Sequence, residues 1–257
     1  MATGLLEGKV AIVTGAAEGM GEATTRLFAA HGARVLAADV NAETGEAMVA
    51  SIKSDGGEAS FVRADVSRPA EIEAMVKTAV ERYGRLDCAV NNAGVSPDNE
   101  PLADLSESEW DRVVNVNLKG VAFCLKYELA QMIAQNEGGS IVNVGSVSGF
   151  RPQPNNGAYN ASKHGVLGLT KTASLECAPL GIRVNTVAPG GINTPMMQRA
   201  FAATGWTEAD FAPVISLIGN RLGRPDEVAQ ASLWLCSDLS SYVTGIALPV
   251  DAGFTAR

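Results

Sequence analysis

Histidine, cysteine, positive charge and long apolar runs are all in short supply in this chain. The two histidines, His31 and His164, lie far apart, and the four cysteines, Cys88, Cys124, Cys177 and Cys236, form no Cys-x-x-Cys pair. No ligand set for a metal emerges, and none is expected. Each cysteine sits in an apolar segment, which predicts buried free thiols in a reducing compartment and so a cytoplasmic protein. Basic residues number 20 against 28 acidic ones, a formal charge of -8. They do not cluster as nucleic acid or an anionic membrane surface demands. No apolar stretch is long enough to span a membrane. Residues 1–8 carry no basic segment followed by a long apolar run, so no leader peptide is expected.

What is present is a chain of 257 residues, 46% of them hydrophobic. That suits one α/β domain over residues 1–257, large enough to be stable without disulfides. Residues 9–14 form a near-continuous apolar run, the pattern of a strand buried on both faces. Gly15-Ala-Ala-Glu18-Gly19-Met20-Gly21 follows, then a helical stretch to about His31. Glycines there let the chain turn tightly and let a pyrophosphate approach the backbone. The helix start directs free N–H groups and the positive end of its dipole at phosphate oxygens. The next strand, 33–38, ends at Asp39, with Val40 after it. A carboxylate in that place accepts from both ribose hydroxyls of adenosine and repels a 2′-phosphate. Glu18 adds a second negative charge nearby, and neither position offers an Arg or Lys for a phosphate. NAD (NADH) is therefore expected in preference to NADP.

The alternation continues. Residues 42–54 read as helix, and 59–63 as strand, with Asp65 and Val66 beyond it where an adenine would rest. Residues 69–83 read as an amphipathic helix with Pro69 in its first turn, and 86–90 as a strand closed by Asn91-Asn92-Ala93-Gly94. Strongly apolar strands alternating with helices predict a parallel sheet covered on both faces. Gly15, Asp39, Asp65 and Asn91 all fall at the C-terminal ends of strands, where such sheets bind ligands.

A second group of residues is suited to proton transfer. Residues 140–146 begin as a strand with alternating Ile141, Val142 and Val144, a loop rich in Gly, Pro and Asn covers 148–157, and a helical pattern starts near Ala158. Tyr159 and Lys163, four residues apart, lie on one face of that helix. A phenol with a pKa of about 10 is a poor acid/base at neutral pH, and an ammonium beside it favours the phenolate. Ser146, once brought close by the fold, holds a substrate oxygen. These are the parts needed to move a proton to or from an alcohol or carbonyl.

With these motifs the sequence resembles the short-chain dehydrogenase/reductase family over nearly its whole length. Thr14-Gly15-x-x-x-Gly19-x-Gly21 is similar to that family's cofactor turn, and Asn91-Asn92-Ala93-Gly94 to the motif that steadies its central sheet. Asn117, in Asn-Leu-Lys-Gly, falls at its fourth catalytic position. Ser146, Tyr159 and Lys163 match its catalytic triad, including the thirteen-residue gap from Ser to Tyr. Pro189-Gly190-Gly-Ile192-Asn-Thr194 matches the segment that contacts the nicotinamide carboxamide. Glu18, Met20 and Ala252 depart from the usual residues, and of these only Glu18 bears on cofactor choice.

The resemblance implies a Rossmann-type doubly wound, mostly parallel sheet of about seven strands with helices on both faces. It also implies hydride transfer between nicotinamide and a secondary alcohol or ketone. Tyr159 is then the general acid/base. Lys163 lowers the phenol's pKa and holds the nicotinamide ribose, and Ser146 polarises the substrate oxygen. Asn117 kinks its helix and holds a water that links Lys163 to solvent. Gly15, Glu18, Gly19, Met20, Gly21, Asp39, Val40, Asp65, Val66, Asn92, Ala93, Gly94, Pro189, Gly190, Ile192 and Thr194, with Tyr159 and Lys163, surround the cofactor. Relatives assemble through the helices predicted over 106–135 and 157–178, so a homotetramer is expected.

Residues 190–220 have little periodicity and read as a lid or binding loop. Met196, Met197, Phe201, Trp206 and Phe211 are scattered through it, which suggests an apolar or ring-shaped substrate; the alternative is that they pack on the body. Phe150, Arg151, Asn155 and Asn156, with Ser146 and Tyr159, are expected to form the other pocket wall. Arg151 either pairs with an anionic group or is solvated. Two other functions stay open on this scaffold: an NADPH-dependent 3-oxoacyl-thioester (acyl carrier protein) reductase, and a non-catalytic dinucleotide-sensing protein.

Overall fold

The computed structural model describes residues 4–257; residues 1–3, part of the stretch read for a leader, lie outside the described residues. The apolar runs form seven strands: β1 (Val10–Thr14), β2 (Arg34–Asp39), β3 (Glu58–Arg63), β4 (Cys88–Asn91), β5 (Gly139–Val144), β6 (Ile182–Pro189) and β7 (Ala247–Val250). All pair in parallel, in the order β3-β2-β1-β4-β5-β6-β7. Parallel neighbours cannot be joined by a tight turn, so helices carry each crossover. These are α1 (Gly19–Ala30), α2 (Ala42–Ser54), α3 (Pro69–Tyr83), α4 (Glu107–Val114), α5 (Val121–Gln135), α6 (Gly157–Cys177), α7 (Pro195–Thr204), α8 (Glu208–Ile215) and α9 (Pro225–Cys236). A π-helical turn, Asn115–Gly120, joins α4 to α5.

The continuous apolar character of β1 follows from burial on both sides. Ala11 and Val13 face a core formed with Phe28 of α1, Met48 and Ile52 of α2 and Leu233 of α9. Ile12, pointing the other way, faces Met75 of α3, Leu125 of α5 and Val166 of α6. All four cysteines are buried thiols. Among the described residues no helix is long and apolar enough to cross a membrane. The chain leaves β1 towards β2 on one side and comes back as β4 on the other. This reversal opens a crevice at the C-terminal ends of the central strands, the place where such sheets take ligands.

The segment 190–220 differs from the irregular loop expected of it. It contains α7 and α8, only 10 and 8 residues long. Thr194 caps α7 by accepting from the Met197 N–H (3.3 Å), and Thr207 and Asp210 form a capping box on α8. Two helices this short, the second interrupted by Pro213, are too brief to show a 3.6-residue period. Phe201 and Trp206 meet Phe211 edge to face at 5.7 and 6.0 Å. Met197, Phe201 and Phe211 also pack against Val147, Ile215, Leu222 and Phe254. Met197, Phe201 and Phe211 thus pack on the body, while Trp206 is exposed.

Candidate active site

β1 ends at Thr14, and the chain turns through Gly15 (φ +62) and Gly19 (φ +61) into α1. A Cβ at Gly15 would lie 2.7 Å from the Ala93 Cα, and one at Gly21 would overlap the Gly15 carbonyl. Asn92 ties this turn to the end of β4. Its Nδ2 donates to the Thr14 and Gly15 carbonyls (3.0 and 2.9 Å), while Thr14 Oγ1 accepts from the Asn92 and Ala93 N–H groups (both 3.1 Å). Asp39, ending β2, accepts from the Ala17 N–H (3.0 Å) and the Asn41 N–H (2.9 Å). Its carboxylate is thus fixed beside the turn with lone pairs left for two hydroxyls. Glu18 occupies the cap position of α1 but makes no side-chain cap. The first-turn N–H groups stay free of side-chain partners, and with the glycine crevice they fit a pyrophosphate.

The other residues expected around a cofactor lie beyond the C-terminal ends of β2, β3, β4 and β6 and at the start of α1. Burial pushes the Asp65 carboxyl up, but hydrogen bonds from the Ser67 hydroxyl and N–H and the charges of Arg68 and Arg63 leave it below its ordinary value. Val66 is buried beside it, Val40 is exposed and Met20 packs on the core. Gly94 lies against the Asn117 side chain, and a Cβ on Gly19 would come within 3.3 Å of the Thr194 methyl. Pro189 ends β6, Gly190 donates to the Val250 carbonyl (3.0 Å), and buried Ile192 bridges to Gly223. The start of α7 therefore rests on the glycine turn.

Ser146, Tyr159 and Lys163 converge at the end of β5. Lys163 is buried; its Nζ donates to the Val144 carbonyl (3.0 Å) and sits 5.5 Å from the Tyr159 ring centroid. Ser146 Oγ accepts from the Ser148 N–H (3.1 Å). The charge states depart from expectation. Burial pushes the Tyr159 phenol up, the Ser146 hydroxyl pulling it partly back, and burial lowers Lys163 to about 8. Loss of water penalises phenolate and ammonium alike, and it is the largest cause at both groups. Asn117, fully buried in the π-helical turn, accepts from the Val95 N–H (2.8 Å) and donates to the Val95 carbonyl (3.1 Å). The helix irregularity is present, and the side chain serves the loop after β4.

One further expectation needs correction, and the structure places the pocket-wall residues. Glu18 has a cation beside it after all: Arg199 of α7, far along the chain, pairs with it at 2.5 Å. The extra negative charge is therefore offset by the guanidinium. Arg151 is exposed, as expected of a solvated arginine, and its guanidinium is tied to the end of the chain. It donates to the Phe254 and Arg257 carbonyls (3.5 and 3.0 Å) and stacks over the Phe254 ring at 5.0 Å. Met197 belongs to the apolar cluster beneath α7, while Met196 is half-buried and Phe150 and Asn155 are exposed.

Asp98 also escaped the sequence reading. Asp98, buried in the loop after β4, accepts from the Ala158 N–H (3.3 Å) and the Tyr159 N–H (3.1 Å). It caps α6 from a remote loop, because Asn156 in the cap position makes no side-chain cap. No local motif signals such a cap. Asp98→Ala is expected to cost about 1–2 kcal/mol, read as a fall in melting temperature of about 2–8 °C, and Asp98→Asn should recover most of it.

Comparison with known proteins agrees with this geometry. A family model described as Enoyl-(Acyl carrier protein) reductase matches residues 15–255. The short chain dehydrogenase/reductase astE of Aspergillus oryzae is 47% identical, over 97% of this chain and 96% of that protein. The 3-oxoacyl-[acyl-carrier-protein] reductase FabG of Thermotoga maritima is 44% identical, over 96% and 98%. The 2,5-dichloro-2,5-cyclohexadiene-1,4-diol dehydrogenase of Sphingobium indicum is 41% identical, over 98% of both. Likeness that runs from the glycine turn through the sheet to the last strand makes this chain an oxidoreductase of the short-chain dehydrogenase/reductase family.

Proposed function

We propose that this protein transfers a hydride between NAD(H) and a secondary alcohol or ketone carried on an apolar ring. In this reading residues 1–257 form one cofactor-binding domain and residues 190–220 its lid. The observation that carries it is the meeting of Ser146, Tyr159 and Lys163 at the mouth of a crevice that also holds Asp39 and the uncapped start of α1. When bound, the nicotinamide supplies the hydride acceptor or donor. Tyr159 Oη takes the hydroxyl proton in oxidation and returns it to the carbonyl oxygen in reduction. Ser146 holds that oxygen. Lys163, with a pKa of about 8, keeps its charge over the phenol ring at neutral pH. Asn117 holds the loop after β4 in register with the site.

Asp39 supports NAD, since a 2′-phosphate would be brought against a fixed carboxylate. The half-buried Met196 and exposed Phe150 at the mouth suit an apolar ring, and one relative is by name a dehydrogenase of a cyclic diol. The test follows cofactor reduction with a panel of cyclic and open-chain secondary alcohols. NAD is expected to exceed NADP in kcat/KM by about 10²-fold, equivalent to about 3 kcal/mol, and Asp39→Ser should narrow the gap. A preference for NADPH would refute the cofactor assignment.

A second reading, NADPH-dependent reduction of a 3-oxoacyl thioester, is favoured by the matching family description and by the 44% identical reductase. Acetoacetyl thioester in the same assay decides between them. Cofactor binding without turnover on any substrate would indicate a sensor. Exposed apolar residues on α5 and α6, Ile133 and Leu175, and around β7, Tyr242 and Ile246, support a homotetramer, which light scattering checks. The four buried thiols suit the cytoplasm.

A further inference from the structure

Glu128 of α5 is fully buried, and among the described residues no cation pairs with it. Its Oε2 accepts from Asn91 Nδ2 (3.0 Å), which also donates to Asn143 Oδ1 (3.0 Å). Asn143 Nδ2 donates to Thr170 Oγ1 (2.9 Å), and Thr170 shares a hydrogen bond with Thr186 (2.7 Å). This network runs from α5 through the ends of β4 and β5 to α6 and β6. Two of its atoms, Glu128 Oε1 and Asn91 Oδ1, are buried with no hydrogen-bond partner. Both are acceptors if the carboxyl is ionised, and leaving two such atoms dry and unpaired is costly. One proton satisfies both. A carboxylic acid and a carboxamide close a ring of two hydrogen bonds, N–H to one oxygen and O–H to the amide carbonyl. Turning the Asn91 amide over gives no escape. It would set its oxygen against Glu128 Oε2 and Asn143 Oδ1, so a proton would again be needed.

We propose that Glu128 is a neutral acid in the folded protein and a positioning residue, its Oε1–H donating to Asn91 Oδ1. The bond locks the end of β4, which carries the Asn92 anchor of the glycine turn, to the network reaching α6, which carries Tyr159 and Lys163. The positioning role rests on the active-site reading above; the protonation state does not. Burial raises the Glu128 carboxyl to about 7, with the Asn91 hydrogen bond opposing it. Cys124, one turn earlier, is the titratable group that faces it, and burial keeps that thiol protonated. β4, β5 and α6 contribute the uncharged Asn91, Asn143 and Thr170. Lys163 of α6 is turned to the Val144 carbonyl. Lys77 and Glu81 of α3 pair with each other at the surface, and Lys119 of the π-helical turn is exposed.

Infrared spectroscopy of the full chain tests the protonation. At pH 6 a protonated-carboxyl C=O stretch is expected that Glu128→Gln lacks, fading as the pH rises through about 7. The folded state holds this proton above the ordinary value of 4.5. Its contribution to stability is full below that value and is lost as the pH climbs to about 7. Glu128→Gln, whose amide donates to Asn91 Oδ1 in the acid's place, should lose that pH slope and keep kcat/KM within about twofold. Glu128→Ala has no donor and should raise the cofactor KM and lower kcat by about tenfold. If the Ala variant does not fold, the Gln spectrum and pH slope still decide. No stretch at pH 6, or an unchanged slope in Glu128→Gln, overturns the neutral acid. A folded Ala variant with wild-type kcat and KM overturns the positioning role. Wild-type protein inactive on every substrate would instead overturn the active-site reading and leave the spectroscopic result standing.

Discussion

Tyr159→Phe is expected to lower kcat by about 10²- to 10⁴-fold, the range that a positioned proton donor contributes, while dinucleotide affinity stays near wild type. In the proposed mechanism the phenol oxygen is the group that exchanges a proton with the substrate oxygen. Removing it leaves the glycine turn, Asp39 and the buried Lys163 in place. Cofactor titration by fluorescence and steady-state turnover separate the two effects. Because burial lifts the phenol above its ordinary value, phenolate is scarce at neutral pH. Alcohol oxidation by the wild type should therefore rise into the alkaline range, whereas ketone reduction, which needs the protonated phenol, should be fastest at or below neutral pH. Substantial turnover in Tyr159→Phe would move the acid/base elsewhere.

Gly21→Ala should be the most damaging small change in the cofactor crevice. The added methyl would overlap the Gly15 carbonyl and come within 2.6 Å of Asn92 Nδ2. Neither is the free end of a flexible side chain: one is backbone, and the other is pinned by two hydrogen bonds to the turn. Forcing an atom into a packed site of this kind costs about 3 kcal/mol, or about 6–12 °C in melting temperature for a chain of this size. Displacing the turn should also weaken dinucleotide binding by about 10²-fold. Thermal unfolding and cofactor titration measure the two losses. A variant with wild-type melting temperature and affinity would show that the turn relaxes freely.

Much of the molecule was legible because its signals are local. The run 9–14, the glycines after it and Asp39 at the next strand end each carry their meaning within a few residues. Tyr159 and Lys163 are neighbours by helical period alone. What escaped depends on residues brought together by folding. Arg199 neutralises Glu18 from a helix too short to show a period, and Arg151 is taken up by carbonyls about a hundred positions away. Asp98 caps α6 although a polar residue already stands in the cap position. The phenol's shift was misjudged for a related reason: the effect of Lys163 follows from spacing, but desolvation of both groups is set by the packing around them.

The strand order also bears on how the chain is made. β1 emerges from the ribosome early and pairs with β2 on one side. Its other edge waits for β4, behind three helices and two strands. Until then the nascent protein presents a five-residue apolar strand with unpaired amides, the kind of edge that recruits other chains. Translation pauses or fragments ending before Cys88 should therefore favour aggregation, and binding of a chaperone at that stage would shield an edge that the finished sheet conceals.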